Sequence, residues 1–349
     1  MSEIGELGQQ KLQDAAVLVV GCGGLGGPVA VQLAASGVGK LHLVDFDTVD
    51  LTNLHRQVFY SLEDKGMLKT ETLAKFIQKR APFTAVTFDS APVTKQNIFR
   101  LISDVDVVVD ATDSLPAKYL LNDACVIKNK PLVYGSLYKF DGYAASFHVK
   151  QNDGTYSANL RDAFPEMAID VPNCEEAGTL NAIVSFIAAQ QVNEVLKLIL
   201  GIGKLLTNQL LVYNALQNSQ LKMKLKPMNI SEFEQRKKFV GIYDNESYFD
   251  AGCEQQDAGV LISPEELKRT LGSGSLEIIS VIDNLIAPFE FSRTLSMQKE
   301  SLARCEIDAS KKTVVVCRKG ISSYKAVKEL KKRFPKADIL SLAGGINDY

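Results

Sequence analysis

The turn "VVGCGGLGGP" near the N-terminus constrains the fold of this chain more than any other feature. It places Gly21, Gly23 and Gly26 in a GxGxxG pattern, after the β-branched run "AVLVVG" and before a helical pattern. Glycines let the backbone turn tightly and approach a phosphate group, and the amides at the following helix N-terminus can bind that group. We therefore predict a nucleotide-binding turn between a strand and a helix, with Gly24 as a fourth contributor.

Composition limits the possible classes of protein. The 349 residues suit two domains, and an apolar fraction of 46% is ample for packed cores. A net charge of −2 gives no reason to expect nucleic acid or a membrane as a partner. The six cysteines include no CxxC pair, which favours a reducing compartment over a disulfide framework. With no signal-peptide pattern visible, we expect a cytoplasmic protein.

Short apolar runs alternate with helical patterns through the first two-thirds of the chain. This alternation predicts an α/β fold with a doubly wound, Rossmann-like, mostly parallel sheet. The run "GYAASFHVK" would add an antiparallel part, and "LNAIVSFIAAQQVNEVLKLILG" predicts a buried helix because polar residues interrupt it. The predicted parallel strands are 16–21, 40–46, 85–90, 105–112 and 131–137.

The chain becomes polar from residue 227 to 258 and shows no sustained periodicity there, which predicts a linker. A second alternation follows, from "ISPEELKRTL" through "KTVVVCRKG" to "ADILSLAGG". We therefore predict a first domain at 1–226, a linker at 227–258 and a smaller α/β domain at 259–349.

Asp45 stands at the end of the second predicted strand, about twenty residues after the glycine pattern. A carboxylate in this position can bind the hydroxyl groups of a ribose. On these residues alone, an NAD-dependent dehydrogenase fits at least as well as an ATP-dependent enzyme.

The motifs that follow distinguish these two classes. "VDFDTVDLTNLHRQVFY", "DKGMLKTETL", "DATDS" and "NCEEAGTLN" occur in order within roughly residues 3–215. The chain thereby resembles the ThiF/MoeB/HesA family, the bacterial relatives of ubiquitin-activating enzymes. The resemblance implies an adenylyltransferase that activates the C-terminal Gly-Gly of a ubiquitin-like sulfur-carrier protein, of the ThiS or MoaD type, and releases pyrophosphate. It also implies a homodimer.

The resemblance assigns roles to five residues and implies ATP and Mg²⁺ as cofactors. Arg56 and Lys69 match the phosphate-binding positions of the family, and Asn53 matches a third nucleotide contact. Asp45 matches the ribose-binding residue, and Asp113 the aspartate associated with magnesium. Cations suit this chemistry because a carboxylate that attacks a polyphosphate is repelled by it. The alternative for Arg56 and Lys69 is ordinary solvated surface charge.

The sequence departs from the family pattern at two places. Many members begin with an RYxRQ segment, whereas this sequence begins at "MSEIGELGQQKL". Many also hold zinc through two CxxC pairs, but Asn159 and Asp162 stand where the first pair would lie. We therefore expect no zinc.

Two cysteines are candidates for sulfur chemistry. Cys174, in "VPNCEEAGTLN", matches a family cysteine that can join the activated carrier, and a buried structural thiol is the alternative. The C-terminal region resembles a rhodanese, because "CRKGISS" follows a strand and opens with Cys-Arg. There the helix N-terminus and Arg318 would favour a thiolate at Cys317.

The rhodanese resemblance implies sulfurtransferase activity. Cys317 would receive sulfur from a cysteine desulfurase or thiosulfate and hold it as a persulfide. That sulfur would reach the acyl adenylate directly or through Cys174 and leave a thiocarboxylate on the carrier.

Three alternatives remain open at the level of sequence. The chain could activate another small protein or peptide without sulfur transfer. It could be a non-catalytic regulator that binds the carrier, or an NAD-dependent oxidoreductase. The pathway that the carrier serves, whether thiamin, molybdopterin or tRNA thiolation, is not encoded in these motifs.

Overall fold

The computed structural model describes residues 1–167, 178–246, 248, 258–271, 276–282, 285–297, 299–318 and 320–349. These residues form two compact units, the first reaching Tyr248 and the second continuing to the C-terminus. Each unit contains one main sheet, and the predicted α/β class is confirmed.

The sheet of the first unit has eight strands. They are β1 (Ala16–Val20), β2 (Lys40–Val44), β3 (Ala85–Asp89), β4 (Val107–Asp110), β5 (Leu132–Tyr138), β6 (Asp141–Phe147), β7 (Gln209–Asn214) and β8 (Ser219–Lys224). Their order is β3-β2-β1-β4-β5-β6-β7-β8. Strands β1 to β5 pair in parallel, and β5 to β8 pair antiparallel. The sheet is therefore mostly parallel with an added antiparallel part, as predicted.

Helices cover both faces of this sheet. They are α1 (Gly5–Asp14), α2 (Gly26–Ala35), α3 (Lys69–Arg80), α4 (Ile98–Leu101), α5 (Leu115–Lys128), α6 (Leu160–Ala163), α7 (Asn181–Leu200) and α8 (Glu232–Asn245). Helices α2, α3 and α7 contribute to one apolar core, and α4, α5 and α8 contribute to the other. Strand β4 is buried at every residue, which agrees with a parallel sheet covered on both faces.

Helix α7 is long and apolar enough, by length and composition, to cross a membrane. Of its most apolar window, 50% is buried within the structure, where the helix packs against α2, β5 and β6. This burial is typical of a core helix, as the sequence predicted.

The predicted linker at 227–258 differs from the structure. Helix α8 lies within it and packs against α5, with Phe239 fully buried and Tyr243 buried beside it. Because only three of the 14 residues of α8 are buried, the sequence of this helix reads as polar. The first unit therefore extends to Tyr248 rather than ending at residue 226.

The second unit has a five-stranded sheet whose pairs are all parallel. Its strands are β9 (Leu261–Ile262), β10 (Leu276–Ser280), β11 (Arg293–Thr294), β12 (Lys312–Val316) and β13 (Ile339–Leu342). Its helices are α9 (Pro264–Thr270), α10 (Lys299–Arg304) and α11 (Ile321–Arg333). The strand order is β11-β10-β12-β13-β9, and two apolar clusters complete the unit.

We expect Phe239→Ala to lower the free energy of unfolding of the first unit by about 3–5 kcal/mol, because it leaves a cavity where a fully buried ring packs. Phe233 lies in the same helix but is 75% exposed, so Phe233→Ala should change stability by less than about 0.5 kcal/mol. Denaturant titration measures both variants. Equal effects of the two substitutions would show that α8 does not pack against α5 and the rest of the first unit.

Candidate functional site

The predicted nucleotide-binding residues lie at the carboxyl ends of the central parallel strands. Strand β1 pairs in parallel with both β2 and β4, so the strand order reverses beside β1. Ligands of doubly wound sheets bind in the crevice formed at such a reversal. The glycine turn follows β1, Asp45 follows β2 and Asp113 follows β4.

Gly21 and Gly26 bring the turn directly against the end of β4. Gly21 has a φ of 92°, a conformation that favours glycine, and a Cβ there would lie 2.6 Å from the carbonyl oxygen of Ala111. A Cβ on Gly26 would lie 1.7 Å from the carbonyl oxygen of Gly21. Neither position has room for a side chain.

The other two glycines of the turn face the segment that carries Arg56. A Cβ on Gly24 would lie 3.2 Å from the carbonyl oxygen of Arg56 and 2.7 Å from Cγ1 of Val184. A Cβ on Gly23 would lie 3.3 Å from Nε2 of Gln57. The structure therefore brings the glycine turn and the predicted phosphate-binding segment into close contact.

Asp45 ties the end of β2 to the glycine turn. Its Oδ2 accepts a 2.6 Å hydrogen bond from the backbone N–H of Cys22, and its Oδ1 accepts one of 2.8 Å from that of Asp47. Burial raises the pKa of Asp45, and the nearby Lys69 cation opposes this effect. The structure thus places the Asp45 carboxyl group beside the glycine turn, and its role in binding ribose stays a prediction.

Lys69 is a buried cation at the start of α3. Its side chain is only 5% exposed, and Nζ lies 2.8 Å from Oδ2 of Asp47. Burial lowers the pKa of Lys69, but the charges of Asp45, Asp47 and Asp113 outweigh burial and raise it. Lys69 is therefore protonated at neutral pH, and its environment argues against the alternative of a solvated surface charge.

Asn53, itself a predicted nucleotide contact, orients the Arg56 side chain. Arg56 Nη2 donates a 2.6 Å hydrogen bond to Oδ1 of Asn53, which is itself buried. Its Nη1 lies 3.4 Å from Nε2 of His55. Unlike Lys69, the Arg56 side chain is partly exposed.

Asp113 is exposed just beyond the end of β4. The preceding Thr112 donates to Oδ1 of Asp110 from both its backbone N–H and its hydroxyl group, at 3.0 and 2.8 Å. Asp110 is in turn paired with Lys118, at 3.2 Å, and both are buried. This buried pair fixes the backbone that carries Asp113.

Sequence reasoning missed three side chains that support the site. Gln57 packs beside Gly23, and its buried Oε1 has no hydrogen-bond partner among the described residues. The Tyr60 hydroxyl donates 2.7 Å to the carbonyl oxygen of Cys22. Asp47 pairs with Lys69. All three lie within the stretch "VDFDTVDLTNLHRQVFY", but the resemblance gives roles there only to Asp45, Asn53 and Arg56.

In the second unit, Cys317 follows β12 and lies beside the start of α11. The Ser323 backbone N–H donates to Sγ at 3.4 Å, and the Cys317 residue is 2% exposed. A Cβ on Gly345 would lie 2.5 Å from the carbonyl oxygen of Arg318, so the C-terminal glycine turn closes against the cysteine loop. The predicted strand, loop and helix are thus observed around the thiol.

Cys174 lies outside the described residues, so its predicted role is not addressed by the structure. At the positions considered for zinc, Asn159 Nδ2 donates 2.7 Å to Oδ2 of Asp162, and the two side chains cap α6. Across the described part of the chain, no three His, Cys, Asp or Glu side chains form a group that could hold a metal ion. The expectation of a zinc-free protein stays a prediction.

Comparison with known proteins identifies the relatives of this chain. The family model described as the ThiF family matches residues 1–234. The chain is 34% identical to a probable adenylyltransferase/sulfurtransferase MoeZ of Mycobacterium tuberculosis, with 99% of this chain and 89% of the relative covered. It is 32% identical to an adenylyltransferase and sulfurtransferase MOCS3 of Culex quinquefasciatus, with 100% and 85% covered.

A further relative matches a smaller share of the chain. The sulfur carrier protein adenylyltransferase of Thermus thermophilus is 40% identical, with 64% of this chain and 83% of the relative covered. Among solved structures, Escherichia coli MccB with ATP aligns with a TM-score of 0.53 and 22% identity, covering 64% of this chain and 67% of that one. This structural likeness supports the fold alone.

Two adjacent glycines provide a test of the turn. We expect Gly26→Ala to destabilise the first unit by about 1–3 kcal/mol, because the added methyl group must displace the Gly21 carbonyl. A Cβ on Gly27, in the same helix, would lie no closer than 3.6 Å to its nearest neighbour, so Gly27→Ala should be neutral or stabilise by up to about 1 kcal/mol. Thermal unfolding distinguishes the two variants. Equal stability of both would contradict the close contact.

Proposed function

The chain belongs to the ThiF family, and from this premise we propose that it adenylates the C-terminal carboxylate of a ubiquitin-like carrier with ATP and then transfers sulfur to it. The names of MoeZ and MOCS3, which match along the whole chain, support both activities. The main structural support for adenylation is the buried Lys69 cation, which lies near Asp45 and Asp113 beside the glycine turn.

We assign nucleotide binding to the ends of β1, β2 and β4. The backbone of the turn from Gly21 to Gly26 receives the phosphates, and Asp45 receives the ribose. Arg56, positioned by Asn53, and Lys69 provide the positive charge. Bound ATP would add its phosphates to a site in which acidic groups surround the buried Lys69 cation.

In the adenylation step, a carboxylate oxygen of the carrier attacks the α-phosphorus of ATP. The bond between that phosphorus and the oxygen bridging to the β-phosphate breaks, and pyrophosphate leaves with the electron pair. Because both reactants are anions, the charges of Arg56 and Lys69 lower the barrier by offsetting their repulsion. The raised pKa of Lys69 keeps this charge in place at neutral pH.

The residues at the end of β4 fit a magnesium ion bound together with ATP. Asp113 offers an exposed carboxylate there, and carboxylate oxygens are preferred magnesium ligands. Magnesium held by Asp113 would neutralise part of the triphosphate charge. The buried Asp110–Lys118 pair keeps Asp113 at that position.

The sulfur step begins with a persulfide on Cys317. Its terminal sulfur attacks the acyl carbon, AMP leaves, and an acyl persulfide joins the carrier to Cys317. A thiolate then attacks the Cys317 sulfur, so that the sulfur–sulfur bond breaks and the thiocarboxylate leaves with the electron pair. In our proposal a cellular dithiol supplies this thiolate, and its second thiol then closes a disulfide within the dithiol and frees Cys317. Cys174 remains the alternative relay through which the sulfur would reach the acyl adenylate.

We propose that the carrier is of the ThiS or MoaD type. The name of the Thermus relative, a sulfur carrier protein adenylyltransferase, supports a sulfur carrier in general. A cysteine desulfurase or thiosulfate would supply the sulfur. We further propose that the protein acts as a homodimer in the cytoplasm.

Asp113→Ala should reduce carrier-dependent exchange of pyrophosphate into ATP by about 10²–10³-fold, the usual loss when one electrostatic stabiliser is removed. Asp104 precedes β4 at the opposite end of the strand and is also exposed, so Asp104→Ala is the matched control and should exchange normally. The carrier is a ubiquitin-like Gly-Gly protein from the same organism.

Exchange by Asp113→Ala at the rate of the control would contradict this site assignment. Tight binding of NAD in place of ATP, measured by calorimetry on the unmodified protein, would instead favour the oxidoreductase alternative.

Cys317→Ser should leave pyrophosphate exchange unchanged, because that chemistry uses the first unit. It should abolish formation of the thiocarboxylate, because a hydroxyl group cannot carry a transferable sulfur. Cys305 is a second buried cysteine of the same unit, and Cys305→Ser should retain both activities. Thiocarboxylate formed by Cys317→Ser at the normal rate, measured by mass spectrometry of the carrier, would refute the assigned role.

A further inference from the structure

Two buried serines form a chain of hydrogen bonds that ends at the Cys317 sulfur. Ser323 lies in the first turn of α11, and its Oγ is 3.3 Å from Sγ of Cys317. Ser341 lies in β13 and donates a 2.8 Å hydrogen bond to Oγ of Ser323. Both serines are 0% exposed. Ser323 is the last residue of the segment "CRKGISS", in which only Cys317 and Arg318 have been given a role, and Ser341 lies in no motif linked to chemistry.

The direction of this chain follows from the number of protons. A hydroxyl group has one proton to donate and two lone pairs to accept with. Because Ser341 donates to the Ser323 oxygen, the Ser323 proton remains available for the Cys317 sulfur. The Ser323 backbone N–H donates to the same sulfur, so one residue supplies two donors to it.

These donors are aimed at an atom that water barely reaches. Cys317 is 2% exposed, and a buried anion is costly unless hydrogen bonds compensate it. A neutral thiol needs no such array, since it is a weak hydrogen-bond acceptor. An arrangement of two donors, one of them oriented by a second buried hydroxyl group, therefore suits a sulfur that becomes negatively charged.

We propose that Ser341, acting through Ser323, is a positioning residue that stabilises the anionic form of the Cys317 sulfur. The proposal rests on the proposed function only in taking Cys317 as the residue that carries sulfur. The serines donate hydrogen bonds and transfer no proton, and the thiol proton leaves to a solvent base. Ser341 is brought to this place by β13, where it pairs with Val315, two residues before Cys317.

The test is the rate at which iodoacetamide alkylates Cys317 in the full-length protein, followed by mass spectrometry of the peptide that contains it. Ser323→Ala and Ser341→Ala should each slow alkylation at pH 7, by about tenfold and a few-fold respectively, because hydrogen bonds to a charged group are lost or misdirected. At pH 10 the rates of both variants should lie closer to that of the unmodified protein, because the higher pH favours the anionic sulfur in every form of the protein.

Two further variants separate electrostatics from packing. Ser280, in β10, is equally buried, but its hydroxyl group donates 2.8 Å to the carbonyl oxygen of Ile282 rather than toward sulfur. Ser280→Ala should therefore alkylate at the unmodified rate. Ser341→Thr, which retains the hydroxyl group, should restore most of the rate at pH 7.

Several results would overturn the proposal. The first is that Cys317 of the unmodified protein resists alkylation at pH 7. The second is that Ser341→Ala reacts at the unmodified rate at pH 7. The third is that a substitution slows alkylation by the same factor at pH 7 and pH 10. The assay needs neither ATP nor a carrier, so it does not depend on the adenylation step. If Cys317→Ser still produced thiocarboxylate, the proposed function would fail whatever the alkylation rates show.

Discussion

The packing of the glycine turn on the end of β4 is the contact on which the rest of the candidate site depends. Gly21 and Gly26 leave no room for a Cβ, so the backbone of the turn lies against Ala111 and against itself. Because of this close packing, the Cys22 N–H can donate its hydrogen bond to Asp45, and the turn lies beside the end of β4, which Asp113 follows. A larger residue at either glycine would separate these groups before any ligand bound.

The acidic groups beside the glycine turn surround the buried Lys69 cation. Lys69 is held by Asp47, and the acidic groups beside it raise its pKa although burial opposes them. A lysine that keeps its proton while largely withdrawn from water retains a strong field, because little solvent screens it. Such a fixed charge, present before the reaction, is what a reaction between two anions requires.

The sequence predicts those parts of the structure in which each position accepts only certain residue types, whatever the rest of the fold. The buried strands read as apolar runs, and the turn after β1 has no room for a side chain at Gly21 or Gly26. Helix α8 could not be recognised, because Phe239 and two other buried residues supply all of its core face. The contact between Ser341 and Ser323 was equally hidden, since it depends on which strand lies beside β12 and not on any spacing in the chain.

The central claim is that the site at the glycine turn joins a carrier carboxylate to the α-phosphate of ATP. Its most direct test uses a carrier whose C-terminal carboxylate is labelled with oxygen-18, incubated with the protein, ATP and a sulfur donor. Attack of the carboxylate on the α-phosphorus followed by displacement at the acyl carbon predicts that one labelled oxygen leaves in each AMP. Unlabelled AMP formed alongside thiocarboxylate would contradict the acyl adenylate and, with it, this account of the site.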